Sequence, residues 1–134
     1  MRNIEYILRK KKLVAIIIKN NFNKKGVNFV TPDRLSLQVG YMKHGQNHII
    51  KPHYHNKQKR VVHNTNEILF IKKGKIRVDF FHKNKKFSHR ILKTGDLIAI
   101  VSEGHGFKIL EKTELIEIKQ GPFSKKKDKI LIKN

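Results

Sequence analysis

Hydrophobic residues in this chain fall into short runs, several of which alternate with polar residues at the period of two that β-strands show. Residues 13–18 form a continuous apolar run rich in β-branched side chains, which is typical of a strand buried on both faces. Residues 35–41 and 76–81 alternate, as half-buried strands do. Because turn residues separate such runs at spacings of about 8 to 12 residues, the pattern predicts an all-β antiparallel sandwich or barrel.

The other apolar runs extend this prediction along the chain. Further strands are predicted over residues 27–30, 67–71, 97–101, 107–110 and 114–118, with 130–132 as a last edge strand. Residues 73–75 read as a turn that makes a β-hairpin of 67–71 and 76–81, and residues 82–86 as a second, charged turn. Residues 4–9 are the one candidate for helix, of about one and a half turns.

Length and composition narrow the class of protein. A chain of 134 residues suits a single domain over 1–134. The absence of cysteine excludes a disulfide framework, a cysteine nucleophile and cysteine-ligated zinc or iron–sulfur sites. No signal-peptide layout is present, and the longest apolar run is far shorter than the ~20 residues that span a bilayer. We therefore expect a cytoplasmic protein without a membrane partner.

The formal net charge of +21 raises the question of a nucleic-acid partner. Lysine outnumbers arginine 25 to 6, although the planar guanidinium group of arginine is better suited to bidentate hydrogen bonds with bases and phosphates. The lysines are also spread along the chain, and no helix-turn-helix, RNA-recognition or zinc-finger signature occurs. The sequence favours compositional bias over specific nucleic-acid binding, with nonspecific binding expected at low salt.

A histidine pair provides the first candidate chemistry. His53 and His55 point the same way if their segment is extended, and Pro52 precedes them. A carboxylate from Glu67 and a third imidazole from His105 would complete a three-histidine, one-carboxylate metal site, suited to iron, manganese, nickel, copper or zinc. The alternatives are a metal-free acid–base pair or a polar loop for the histidine pair, a glycine turn at His105, and a solvent-facing position for Glu67.

The order of these residues resembles the two motifs of the cupin superfamily. Motif 1, about 48–74, contains the His53-Tyr54-His55 pair and Glu67, which six residues separate from Gly74. Motif 2, about 95–107, begins with Gly95-Asp96 and ends at His105. The resemblance implies a single-domain jelly roll with His53, His55, Glu67 and His105 around one divalent ion. The gap between His55 and Glu67 is longer than the family's, which leaves His63 as an alternative to Glu67.

A closer resemblance, to small single-domain bacterial cupins found among surface-polysaccharide and sugar-nucleotide genes, covers most of the chain. It is carried by residues 69–75, 77–80, 104–107 and 119–123. It implies a fold and a metabolic neighbourhood but supplies no reaction. With it, our leading hypothesis is a sugar or sugar-nucleotide ligand and an isomerase or epimerase reaction. Because cupins commonly pair, we expect a homodimer, and residues 124–134 form a basic tail. The expected catalytic residues are His53 and His105, and the expected substrate-binding residues are Tyr41, Arg60 and Arg77.

Three alternatives stay open at this point: a metal-free nucleotide-sugar isomerase or epimerase, a non-catalytic sugar-binding or regulatory cupin, and an iron-dependent dioxygenase. The remaining candidates are interpreted as surface residues. Glu111, Glu114 and Glu117 are expected on the polar face of a strand. The other histidines, His44, His48, His82 and His89, lie beside predicted turns or lysines, and of these only His48 could approach the mouth of the barrel.

Overall fold

Ten β-strands make up the regular structure of the computed structural model, which describes residues 3–126 and 128–133. They are β1 (Ile4–Arg9), β2 (Lys12–Ile18), β3 (Gly26–Phe29), β4 (Gly40–Lys43), β5 (Glu67–Lys73), β6 (Lys75–His82), β7 (Lys85–Lys93), β8 (Leu97–Ile100), β9 (Gly104–Ile109) and β10 (Glu114–Lys119). The described part of the chain contains no helix with the length and apolar character that a membrane crossing needs. All pairing is antiparallel, so the predicted all-β antiparallel class is confirmed.

The chain divides into two units, which we call the sandwich unit (residues 1–22 and 64–134) and the hairpin unit (residues 23–63). The sandwich unit holds a five-stranded sheet in the order β1-β2-β8-β5-β10 and a three-stranded sheet in the order β7-β6-β9. Their inward side chains form one core, in which Val14, Ile71, Val78 and Phe80 are fully buried. The two sheets form a sandwich, and their described strands do not close into a barrel.

The strand predictions hold where the apolar pattern is strongest. In β2 every residue of the run 13–18 is buried, and in β6 the alternating residues Ile76, Val78 and Phe80 are buried while their neighbours are half-exposed. These are the burial patterns that a continuous apolar run and a period-two run predict.

The hairpin predicted between residues 67–71 and 76–81 is wrong. β5 pairs with β8 and β10 in the five-stranded sheet, whereas β6 pairs with β7 and β9 in the three-stranded sheet. Gly74, with φ +113°, carries the chain from one sheet to the other. The real hairpin is β6–β7, closed at the predicted charged turn by Lys83, which has φ +53°.

Residues 4–9, the helix candidate, form strand β1 instead. β1 lies along β2 with Ile4 opposite Ile18, and it buries Ile7 in the core. A six-residue segment has too few turns to be stable as an isolated helix, so pairing with the apolar strand β2 decides its conformation.

The hairpin unit contains β3 and β4, paired from Gly26 opposite Lys43 to Phe29 opposite Gly40. The strand predicted over residues 35–41 is wrong for most of its length, since β4 begins only at Gly40. Residues 33–37 form turns and bends, and the Gln38 side chain donates hydrogen bonds to the carbonyls of Pro32 (3.0 Å) and Leu35 (2.8 Å). These side-chain bonds replace the ladder that a strand would need.

Asp96, in the second motif, is a structural residue. Its buried carboxylate accepts hydrogen bonds from the backbone N–H groups of Asn20 and Lys93, both at 2.8 Å. Lys19 Nζ lies 3.6 Å from the same carboxylate. The carboxylate therefore ties the β7–β8 turn to the end of β2.

We expect Asp96→Ala to lower the free energy of unfolding by about 1–3 kcal/mol, because it leaves two partly buried N–H groups without this acceptor. Urea denaturation measures this loss, and Asp33→Ala, at an exposed aspartate, is the control. An equal effect of the two substitutions would contradict the structural role given to Asp96.

Candidate functional site

A pocket of about 730 Å³ opens in the sandwich unit. Its walls come from β5, β9, β10 and the residues at the C-terminal end of the chain. The apolar part of the lining consists of Leu69, Phe81, Phe107, Ile109, Leu115, Ile130, Leu131 and Ile132. The ionisable part consists of Glu67, Glu103, His105, Glu117, Lys119, Asp128 and Lys129. A concave, mostly apolar surface with a few polar groups is the usual form of a small-molecule site.

Glu67 and His105 meet in this pocket. Glu67 begins β5 of the five-stranded sheet and His105 lies at the start of β9 of the three-stranded sheet, so the pair links the two sheets. His105 Nε2 lies 2.8 Å from Glu67 Oε2, and only 14% of the Glu67 side chain is exposed. The hydrogen bond from His105 holds the pKa of Glu67 at about 2, well below its usual 4.5, against the opposing effect of burial.

Glu117 is the third member of the cluster, and the sequence interpretation placed it only on the polar face of a strand. In the β5–β10 ladder Lys119 lies opposite Glu67, so Glu117, two residues earlier, shares the same face. Glu117 is an exposed residue whose side chain faces the same way as that of Glu67. Interaction with the Glu67 carboxyl group, together with partial desolvation, raises the pKa of Glu117.

The surroundings of His105 Nδ1 indicate which of the two ring nitrogens carries the proton. His105 Nδ1 is buried and has no hydrogen-bond partner among the described residues. A proton on Nε2 is donated to Glu67 and leaves only a lone pair on Nδ1. The opposite tautomer would bury an N–H group without an acceptor, which is the costlier arrangement. The geometry therefore favours the tautomer with its proton on Nε2.

We expect Glu67 to make stability depend on pH in the acid range. Because its folded pKa is depressed, ionised Glu67 stabilises the fold above pH 4.5, and this contribution is lost as the pH falls from 4.5 to about 2. Urea midpoints measured at pH 6, 3.5 and 2.5 should fall steeply in the wild type and less in Glu67→Gln. Parallel curves for the two proteins would show that the Glu67–His105 contact adds nothing to folding.

A second histidine–carboxylate pair borders the pocket. His82 Nδ1 lies 2.8 Å from Glu103 Oε2, and Lys12 Nζ lies 3.4 Å from Glu103 Oε1. The sequence predicts His82 to be a surface residue, but in the structure its ring contacts the carboxylate of Glu103. Both contacts lower the pKa of Glu103, the His82 bond most of all. Glu103 has φ +66°, a conformation uncommon for a residue with a side chain, immediately before Gly104 and His105.

His53 and His55 lie in the hairpin unit, within residues 44–66, which contain no strand. The extended strand on which their common direction was predicted is therefore absent. Both side chains are exposed, and their ring centres are 5.1 Å apart in an edge-to-face arrangement. His53 Nδ1 lies 2.7 Å from the carbonyl oxygen of Lys51, so Nδ1 donates and the lone pair is on Nε2. His63, the proposed alternative to Glu67, is also an exposed residue of this unit.

The four residues of the metal hypothesis thus form two pairs, His53 with His55 in one unit and Glu67 with His105 in the other. Among residues 3–126 and 128–133, no three histidine, aspartate or glutamate side chains are grouped so as to hold a metal ion. The metal centre with all four ligands stays a proposal.

The three residues expected to bind substrate have separate positions. Tyr41 is a half-buried residue of β4, and Arg60 is exposed, both in the hairpin unit. Arg77, on β6, is not part of the pocket lining. Its Nε and Nη2 donate to the two carboxylate oxygens of Asp79 at 2.9 and 3.0 Å.

The segment 128–133, which we call the C-terminal segment, is not the edge strand predicted at residues 130–132. It contains no strand, and residues 128–132 line the pocket instead. Asp128 accepts a hydrogen bond of 2.7 Å from Lys119 Nζ. The rest of the predicted tail, residues 124–126, is exposed, and Lys127 and Asn134 lie outside the described residues.

Comparison of the chain with protein-family models, with curated proteins and with solved structures finds no match.

Proposed function

We propose that the pocket of the sandwich unit is the active site of an isomerase or epimerase that acts on a sugar-type substrate by acid–base catalysis. The observation that carries this proposal is the pair of carboxyl groups, Glu67 and Glu117, which share one face of the β5–β10 ladder and both line the pocket. Their environments move their pKa values in opposite directions. Two carboxyl groups with separated pKa values can serve as a proton acceptor and a proton donor in one site.

The proton transfers follow from this pair. Glu117 donates its proton to the carbonyl oxygen of the substrate. Glu117 and Glu67 are then both ionised, and their repulsion makes the pair a stronger proton acceptor. The pair takes back one proton from the carbon next to the carbonyl, which gives an enediol. The pair then returns that proton to the other carbon or to the opposite face of the same carbon, while an enediol hydroxyl group gives its proton back to Glu117 and its oxygen becomes the carbonyl oxygen. This gives the isomer or the epimer and restores protonated Glu117. His105 acts by holding Glu67 ionised and oriented.

The rest of the pocket suits a ring with polar edges and apolar C–H faces. Phe81, Phe107 and Leu69 offer apolar surface, while Glu117, Glu103 and Thr65 offer oxygens to hydroxyl groups. This lining supports a sugar-type ligand, as does the resemblance to cupins of polysaccharide gene clusters. The cupin jelly roll and the homodimer implied by that resemblance belong to the same proposal.

A second candidate is the same class of reaction assisted by a divalent metal ion, and the histidine pair favours it. His53 has the tautomer of a metal ligand, with Nδ1–H bonded to a carbonyl and Nε2 free. Two imidazoles bound to one ion through nitrogens at ~2.1 Å have ring centres roughly 5 Å apart, as His53 and His55 do. In the sandwich unit Glu67 offers an ionised oxygen, whereas a metal on His105 Nε2 would require a proton on the buried Nδ1. A bound divalent ion would act as a Lewis acid on a substrate oxygen.

The experiment that tests the function measures the exchange of carbon-bound hydrogen in the substrate for deuterium from the solvent. The full chain is incubated in D₂O with a panel of free and nucleotide-linked aldo and keto sugars, before and after chelation. Proton NMR detects deuterium at the carbon next to the carbonyl. Exchange that survives chelation supports metal-free catalysis, whereas exchange restored only by a divalent ion supports the metal-assisted reaction. Absence of exchange under all these conditions would overturn both, and ligand-induced stabilisation alone would then identify a sugar-binding protein.

Metal content provides a second measurement. Mass spectrometry of the untagged protein is compared with that of a His53→Ala/His55→Ala double variant. About one ion per chain that is lost in the variant supports the metal site. If neither protein binds iron, manganese, nickel or zinc, the metal-assisted candidate is wrong. Oxygen consumption that requires ferrous iron would instead indicate a dioxygenase.

A further inference from the structure

The C-terminal segment forms one wall of the pocket with very few attachments to the rest of the sandwich unit. Residues 128–132 line the pocket, yet the segment belongs to no strand. Among the described residues it makes no backbone hydrogen bond to the sheets. Ile130 and Leu131 are 95% and 81% exposed, so most of their apolar surface lies in solvent.

Two side-chain contacts hold this wall. At one end Lys119 Nζ, on β10, donates to Asp128 Oδ2 at 2.7 Å. At the other end the Ile132 side chain lies against Gly104, where a Cβ atom would be only 2.5 Å from Ile132 Cδ1. Glycine at position 104 therefore makes room for Ile132 beside the catalytic cluster.

We propose that the C-terminal segment is a lid over the pocket, latched by the Lys119–Asp128 ion pair and seated by Ile132 on Gly104. A segment that the described residues hold by one partly buried ion pair and one aliphatic contact opens at lower free energy than a paired strand. Opening gives a ligand access to His105 and Glu67, whose side chains are 27% and 14% exposed with the segment in place, and closing shields these two from water.

The Lys119–Asp128 ion pair also links the position of the C-terminal segment to the charges that act on Glu117, the proposed acid. The charge of Lys119 acts on both Glu67 and Glu117, and in the latched state Asp128 counters it while raising the pKa of Lys119. Lys129, in the C-terminal segment itself, lowers the pKa of Glu117 as Lys119 does. The closed segment therefore brings two opposite charges, Asp128 and Lys129, to the pocket.

The test measures access to His105 in the full chain. Diethyl pyrocarbonate acylates accessible imidazoles, and mass spectrometry follows the rate at His105, with exposed His89 as the internal reference. Asp128→Asn keeps the size of the side chain but removes the charge of the latch. It should raise the rate of acylation at His105 at least roughly two- to fivefold, since a partly buried pair is worth no less than an exposed one. Raising the salt concentration should accelerate the wild type and leave Asp128→Asn unchanged.

Gly104→Ala and Gly106→Ala provide a matched pair of variants. Gly104→Ala displaces the Ile132 side chain from its position against residue 104 and should accelerate the acylation of His105. The second places a Cβ atom at an ordinary 3.8 Å from Phe81 and should not. Equal His105 rates in the wild type, Asp128→Asn and Gly104→Ala, at low and high salt alike, would show a fixed wall and overturn the lid.

The inference rests on the proposed function only in taking this pocket as the ligand site. Because the reagent reads access to His105 without turnover, failure of the sugar chemistry would leave a measured change in access intact. Conversely, a fixed wall would leave the solvent-exchange result unaffected.

Discussion

Replacing Glu117 by glutamine is expected to lower the rate of solvent-deuterium exchange by about 10²–10⁴, the usual contribution of a general acid or base. Glutamine has nearly the same shape and can still donate a hydrogen bond to Glu67, but it has no proton to give to a carbonyl oxygen. The assay is the NMR exchange measurement, with whichever sugar the wild type labels. Glu114→Gln is the matched control, since Glu114 is an exposed residue of the same strand outside the pocket lining.

The pH dependence of the exchange rate provides a second test of Glu117 as the general acid. Glu117 must be protonated to act, and its pKa is raised by the contact with Glu67. Activity should therefore persist above the pH range in which an ordinary glutamate ionises, and fall as the pH rises through the pKa of Glu117. This descending limb should be absent from any residual activity of Glu117→Gln. If Glu117→Gln and Glu114→Gln both retain wild-type rates, Glu117 is not the acid.

Gly74→Ala is expected to lower the free energy of unfolding by about 2–5 kcal/mol, through backbone strain and overpacking together. Gly74 has φ +113°. A Cβ atom there would lie 2.4 Å from Thr113 Oγ1, 2.5 Å from the carbonyl oxygen of Lys112 and 2.7 Å from Thr113 Cα. Because two of these three atoms belong to the backbone, the neighbouring chain cannot move aside cheaply.

Gly26→Ala separates the two causes. Gly26 also has a positive φ, +84°, but nothing lies within 4 Å of a Cβ atom built on it. Its substitution should cost only the backbone strain, about 1–2 kcal/mol. Urea denaturation of both variants measures the difference. Equal losses would mean that the chain near Thr113 yields, and that the sheet crossing at Gly74 is not closely packed.

The sequence predicts part of the candidate site. The spacing of Glu67 and His105 and their resemblance to a family motif predict that they share a site, and the structure brings the two side chains together. The sequence does not predict Glu117 as a site residue, because nothing near it shows which strand β10 joins. Only the β5–β10 register, with Lys119 opposite Glu67, places Glu117 beside Glu67. His53 and His55 were expected on a strand, but residues 44–66 form none.

The sequence by itself determined the class of fold and the buried strands, because the period of an apolar pattern is local and has one favourable conformation. The run 13–18 is buried as predicted, and so are the alternating residues of β6. Only the tertiary structure decided which strands meet. A short turn such as 73–75 is compatible both with a hairpin and with a crossing between sheets. The choice depends on the partners that β5 and β6 find far away in the chain. The same non-local pairing decided that β1 is a strand, that Glu117 joins Glu67, and that the C-terminal segment lies at the pocket.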